Sequence, residues 1–224
     1  MHNIFFLSSF HHESGNCNSR ELYDIIKMVK PNIIFEELDL DSYNDHYSEE
    51  GPYSIETIAI HRYIQSNNIK HMPVDTYDMN NIEKSAIEYM YNIFYEDVEY
   101  RRLLAIQLEK IQSYGYKFIN SDECVKLIFE IQKTEDTIQA RIGNNKLSKI
   151  YKNWIEMNNR REIEIIKNIY NYSMENAFET ALLITGAEHR ISLKKKLESH
   201  INENIKINWK YIQYDQNILN TNGT

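Results

Sequence analysis

The residues that could do chemistry follow directly on apolar runs. Residues 6–20 read FLSSFHHESGNCNSR, where the run stops at His11, His12 and Glu13. Residues 31–39 read PNIIFEELD and deliver Glu36, Glu37 and Asp39; residues 70–75 read KHMPVD and end on Asp75; residues 181–189 read ALLITGAEH and end in Gly186, Glu188 and His189. A further run over 207–214 is followed by Asp215. Imidazoles and carboxylates brought from distant positions to one rim are the ligand types of a divalent metal site, and equally the acid/base set of a metal-free hydrolase.

Such a rim requires strands that end together. Residues 3–10, 32–38, 70–75, 181–186 and 207–214 have strand character. The second and fourth are nearly continuous apolar, as strands covered on both faces of a parallel sheet should be, while the fifth alternates and reads as an edge. Helical patterns separate them. Asn18 or Ser19 can cap SRELYDIIKMVK, whose Leu22, Ile25, Ile26 and Val29 share a face before Pro31 ends the helix. SIETIAIHRYIQSNN starts at Ser54, and EHRISLKKKLESHI points Ile191, Leu197 and Ile201 inward. This βαβ series predicts an α/β fold with a mainly parallel sheet flanked by helices, whose carboxyl-end loops gather on one edge where ligands bind. Residues 81–176 are helical in pattern, broken at SYGY and GNNK, and read as a helical insertion or cap between the third and fourth strands.

Two local arguments refine the rim. Side chains alternate along a strand, so Glu37 lies opposite Glu36 and on the side of Ile33 and Phe35; standing at the strand's exit, it is the better placed of the two. His189 falls at a helix N-terminus after a glycine that lets the backbone approach a ligand, and the helix dipole is expected to keep its imidazole neutral. His12 is expected to point away, Arg20 to pair with Asp24 if it has no role at the site, and Glu56, His46 and His61 to lie on the surface.

With 42% hydrophobic content in 224 residues, the chain is long enough for one sizeable core and cramped for a second, so a single domain over residues 1–224 is expected. The net charge of −8 disfavours an obligatory nucleic-acid partner, which would call for a basic face; a metal cation or a polar small substrate fits more easily. Cys17 and Cys124 are single and distant, so two free thiols are expected. The apolar run at 4–7 is too short for a signal-peptide core, and no stretch approaches the ~18 apolar residues of a membrane span. The expectation is a cytoplasmic protein with no membrane partner.

PNIIFEELD, the helix that precedes it and ITGAEH together resemble the superfamily that joins TraB/PrgY proteins, Tiki-type metallopeptidases, ChaN-like haem-binding proteins and the erythromycin esterases. In that group a first strand ends in G-x-x-H, a second ends in a glutamate, and a late strand ends in another G-x-x-H. Here Ser8-Ser9-Phe10-His11, Pro31 to Leu38 and Gly186-Ala187-Glu188-His189 occupy those places in order. The resemblance covers residues 4–214 and implies His11, Glu37 and His189 as the site. It also implies Arg20 near the active centre, and Arg161, or Arg160, from NNRREIEIIKNI. Ser8 stands where the first motif has glycine, and Ser9 where the esterases carry a glutamate; Glu13 is the nearest substitute.

The expected activity is hydrolysis of an amide or ester bond in a peptide or small-molecule substrate. In a metal version, His11, Glu37 and His189 hold zinc, manganese or cobalt, and Glu36 or Glu13 takes a proton from the bound water. In a metal-free version one histidine is the general base, Glu37 orients it, and Arg20 or Arg161 stabilises the developing negative charge. The rival readings are a module that binds a haem-like ligand without chemistry and an effector that retains only the fold.

Overall fold

The computed structural model describes residues 2–48, 54–76, 82–199 and 205–214. Strand β1 (His2–Ser9) leads into helix α1 (Ser19–Val29), β2 (Ile33–Glu36), α2 (Leu40–His46), α3 (Ile55–Ser66) and β3 (Lys70–Pro73). The insertion follows as α4 (Lys84–Tyr95), α5 (Val98–Tyr114), α6 (Tyr116–Ile119), α7 (Asp122–Ile142) and α8 (Asn145–Glu175). The chain then returns to the sheet with β4 (Thr180–Gly186), a single 3-10 turn (Ala187–His189), α9 (Arg190–Ser199) and β5 (Ile207–Tyr211). The expected α/β fold, parallel sheet and helical insertion between the third and fourth strands are all present.

The sheet order is β3-β2-β4-β1-β5, and every pairing is parallel. This order fixes where a ligand can bind. From β1 the chain leaves toward β2, and from β4 it leaves the other way toward β5, yet β1 and β4 are neighbours. The two connections pass over the pair on opposite faces of the sheet, α1 on one and α9 on the other, and the crevice of an open α/β sheet lies where neighbouring strands send their connections opposite ways, so it lies here between the ends of β1 and β4. Their register aligns Ser9 with Gly186, so both strands release the chain at the same height.

Both faces of the sheet are covered, which explains the continuous apolar runs. Leu7, Ile34, Leu182 and Ile184 pack against Leu22, Ile25 and Ile26 of α1, Ile55, Ala59 and Ile60 of α3, and Tyr116 and Phe118 of α6. On the opposite face Ile4, Phe6, Ile33, Phe35 and Leu183 meet Ile165, Ile166 and Ile169 of α8 and Leu193 and Leu197 of α9. Each such aliphatic side chain contributes about 1.5–3 kcal/mol when fully buried. A third cluster, including Phe94, Leu103, Ile138 and Leu147, is internal to the insertion, and α8 is long enough to belong to both.

Local chemistry sets the element ends. The Asn18 side chain caps α1 by accepting the Glu21 N–H, Asp39 caps α2, and Ser54 caps α3. Helix α2 has no counterpart among the expected elements. In α9 the inward residues are Arg190, Leu193 and Leu197. Ile191 is only half-buried, because the 3-10 turn sets the helix to begin at Arg190. Ile201 and Asp215 lie outside the described residues. Cys17 and Cys124 are free and buried, as expected. No helix among the described residues is long and apolar enough to cross a membrane.

Candidate active site

The pleat separates the two carboxylates at the end of β2. Glu36 follows Ile34 toward the α1/α3 side, where it accepts hydrogen bonds from Tyr47 Oη at 2.7 Å and His71 Nδ1 at 2.7 Å. Glu37 follows Phe35 toward α8 and becomes a hub. Its Oε2 accepts the Gly186 N–H at 2.5 Å, and its Oε1 lies 2.8 Å from Arg161 Nη2 and 3.2 Å from His189 Nε2. Arg161 is clamped from the other side by Asp75 Oδ2, 2.9 Å from Nε and 2.5 Å from Nη2. The Arg161 guanidinium, on the insertion's last helix, thus ties the ends of β2 and β3 together, and Glu37 ties them to the end of β4. Arg160, the alternative, is exposed.

His189 is held on both ring nitrogens, with Glu162 Oε1 lying 2.8 Å from Nδ1. Burial pulls its pKa down, but the hydrogen bonds to Glu162 and Glu37 and their charges outweigh it and raise it from 6.5 to about 10. The expected neutral imidazole is therefore corrected: two carboxylates in contact overcome a helix-end dipole worth about 1 kcal/mol or less. Burial pushes Glu37 up, but the His189 hydrogen bond and charge, followed by His11 and Arg161, bring it down to about 2. Glu162 is also lowered; it accepts from Ser192 and Lys196 besides His189.

His11 differs from His189. Its backbone is in the left-handed region at φ 63°, which a non-glycine residue occupies only under local constraint. Its Nδ1 lies 3.1 Å from Oε1 of Glu56, on the first turn of α3. Glu56 is buried and takes a hydrogen bond from Ser9 Oγ on the same oxygen. The other ring nitrogen, Nε2, lies over Gly186, where a Cβ would stand 2.8 Å from it. The glycine of the late motif therefore makes room for the first histidine, rather than for a ligand. Burial lowers the His11 pKa, whereas the hydrogen bond and charge of Glu56, then the charge of Glu37, raise it to about 9. The side chain keeps 45% of its surface open, so solvent screens part of that rise.

These groups line a cleft of about 480 Å³, with apolar walls from Leu38, Ile60, Trp154 and Ile184. Of the residues expected at the rim, His11, His12, Glu36, Glu37, Asp75, Arg161, Glu188 and His189 all line it. His12 and Glu188 are exposed. Two do not reach it. Arg20 is exposed on α1, and Glu13 is exposed with its Oε1 accepting from Ser19 Oγ at 3.3 Å, at the start of that helix. The carboxylate behind His11 comes instead from Glu56, which is not the surface residue expected. His46 also lines the cleft, half-buried, with an Nδ1 that is buried without a hydrogen-bond partner; His61 is exposed as expected. No protein-family model, curated protein or solved structure matched this chain.

As arranged, the three expected metal ligands are engaged mostly with one another and with their neighbours. Both nitrogens of His189 face carboxylates, and both oxygens of Glu37 already accept hydrogen bonds, so only His11 Nε2 is left among the three expected ligands. Among the described residues no group of three or more His, Cys, Asp or Glu is placed to hold a metal.

Proposed function

We propose that the cleft is the active site of a metal-free hydrolase that cleaves an amide or ester bond, with His11 as the proton-transfer residue. One observation carries this reading. A solvent-open histidine is held at the switch point in a constrained backbone conformation, with one nitrogen on a buried carboxylate and the other over Gly186. A carboxylate on Nδ1 fixes the ring and stabilises the imidazolium that forms when Nε2 accepts a proton.

In this mechanism neutral His11 takes a proton from water at Nε2 as the water's oxygen attacks the carbonyl carbon. The carbonyl electrons move onto oxygen; Arg161 and His189 are cationic side chains lining the cleft, and they offset the developing oxyanion by shifting from the carboxylates that hold them. His11 then returns the proton to the departing amine or alcohol, and the carbonyl re-forms. Glu37 holds both cations in place and, with its pKa near 2, is too weak a base to compete for the proton. Carboxylates line much of the cleft, so it suits a neutral or cationic polar substrate better than haem with its two carboxylates.

The test is a panel of p-nitrophenyl esters and aminoacyl p-nitroanilides, assayed with a chelator present. Wild type should turn over at least one substrate, and His11→Ala should lose roughly 10²–10⁴-fold in rate. Turnover that survives His11→Ala, or that requires added metal, would overturn the proposal.

A further inference from the structure

The contact between Ser9 and Glu56 continues into the insertion. Ser9 Oγ lies 3.3 Å from the hydroxyl of Tyr116, a fully buried residue at the start of α6. Counting protons orients the chain. An ionised Glu56 only accepts, so the hydrogen between Ser9 and Glu56 is the serine's; serine has no second one, so Tyr116 must donate to Ser9. Glu56 Oε1 thus receives both the Ser9 hydroxyl and His11 Nδ1, while its Oε2 is buried with no hydrogen-bond partner. The side-chain hydrogen bonds that orient the carboxylate, from Ser9 and His11, both fall on Oε1.

The tyrosine is itself firmly placed. Asn120, which follows α6, accepts the Ser8 N–H at 2.8 Å and donates to the Ser8 carbonyl at 2.9 Å, pairing with β1 as a neighbouring strand would. Arg190 Nη1 donates to both Asn120 Oδ1 at 3.0 Å and Ser8 Oγ at 3.2 Å. These groups are buried, so breaking the arrangement would leave unsatisfied donors and acceptors.

We propose that Ser9 and Tyr116 are positioning residues for His11: their hydroxyls, in the order Tyr116 to Ser9 to Glu56, fix the carboxylate against which the imidazole rests. Helix α6 is then part of the active site's support and not merely a cover over it. The inference rests on His11 being the proton-transfer residue, and it explains why serine is suited to the position before Phe10-His11: it draws in a carboxylate from α3.

The test uses the whole 224-residue chain and needs no substrate. The His11 Nδ1–H, hydrogen-bonded to a carboxylate, should give a low-field proton resonance at low temperature and fixed pH, assigned by its loss in His11→Gln. Tyr116→Phe keeps the ring and removes the donor; it should move this resonance upfield and speed its exchange several-fold. Ser9→Ala should broaden it beyond detection, and the resonance of His189 should stay unchanged in both. An unaltered His11 signal in folded Tyr116→Phe would overturn the proposal, whether or not Ser9→Ala folds. With a substrate in hand, both variants should lose roughly tenfold in kcat at constant KM, since neither side chain touches substrate. If His11→Ala kills turnover while Tyr116→Phe leaves both kcat and the resonance intact, the relay fails and the hydrolase reading stands. If the resonance responds but no ester or amide is cleaved, the relay stands and the hydrolase reading fails.

Discussion

Replacing Glu162 by glutamine keeps the shape of the site and removes one of the two carboxylates that flank His189. In the folded protein those contacts, at 2.8 and 3.2 Å, raise the His189 pKa from 6.5 to about 10. At about 1.4 kcal/mol per pH unit, that rise corresponds to on the order of 5 kcal/mol. Glu37 and Glu162 share it, and the substituted amide retains some hydrogen bonding, so the variant should lose roughly 2 kcal/mol at near-neutral pH. The sign follows from linkage. A group whose folded pKa is raised stabilises fully below its unfolded value and loses that contribution as pH rises through the folded one. Glu162, lowered on folding, stabilises above its ordinary 4.5 and loses that as pH falls through its folded pKa. The cost of Glu162→Gln should therefore be greatest between the ordinary pKa values of 4.5 and 6.5 and should shrink toward about 10. Urea unfolding of both proteins at several pH values across that window measures it. A cost that is flat or grows with pH would refute the doubly held imidazolium.

Two further outcomes follow from the geometry. Gly186→Ala puts a Cβ 2.8 Å from His11 Nε2 and 3.5 Å from Glu37 Oε2, so the ring must shift by several tenths of an ångström; turnover should fall about tenfold or more with little change in thermal midpoint, and full activity would contradict the placement of His11. Glu37→Ala should reduce hydrolysis far more than Glu36→Ala, because Glu36 contacts Tyr47 and His71 while Glu37 joins His189, Arg161 and Gly186; equal losses would put the pleat assignment in error.

What the sequence revealed and what it hid divides along range. The strands are legible because parallel strands covered on both faces are apolar without interruption, as in ALLITG. The choice of Glu37 over Glu36 needs only the pleat, and the converging histidines need only strand ends. Glu56 was hidden because, read locally, it is an ordinary acidic residue in the first turn of a helix capped by Ser54. Only the packing of α3 against α1, which brings Glu56 to Ser9 at the end of β1, turns it toward His11. Glu162 was hidden beside Arg161: successive helix residues diverge by about 100°, so Arg161 meets Glu37 and Asp75 while Glu162 meets His189. The charge state of His189 was misread for the same reason, since the dipole of the following helix is local and the carboxylates come from other elements. Arg20 had a suitable place near the first motif, but its face of α1 is turned to solvent.

The pairing of His11 with Glu56 is the account's centre, and the pH–rate profile of the best substrate, measured on wild type and Glu56→Gln, tests it most directly. A general base works deprotonated, so the wild-type rate should rise with pH through a midpoint above the ordinary 6.5, toward the raised value of about 9. In Glu56→Gln the maximal rate should fall and the midpoint should move down toward 6.5. A midpoint that stays in place after the carboxylate is removed would contradict the assignment of His11 as the base and Glu56 as the group that holds it.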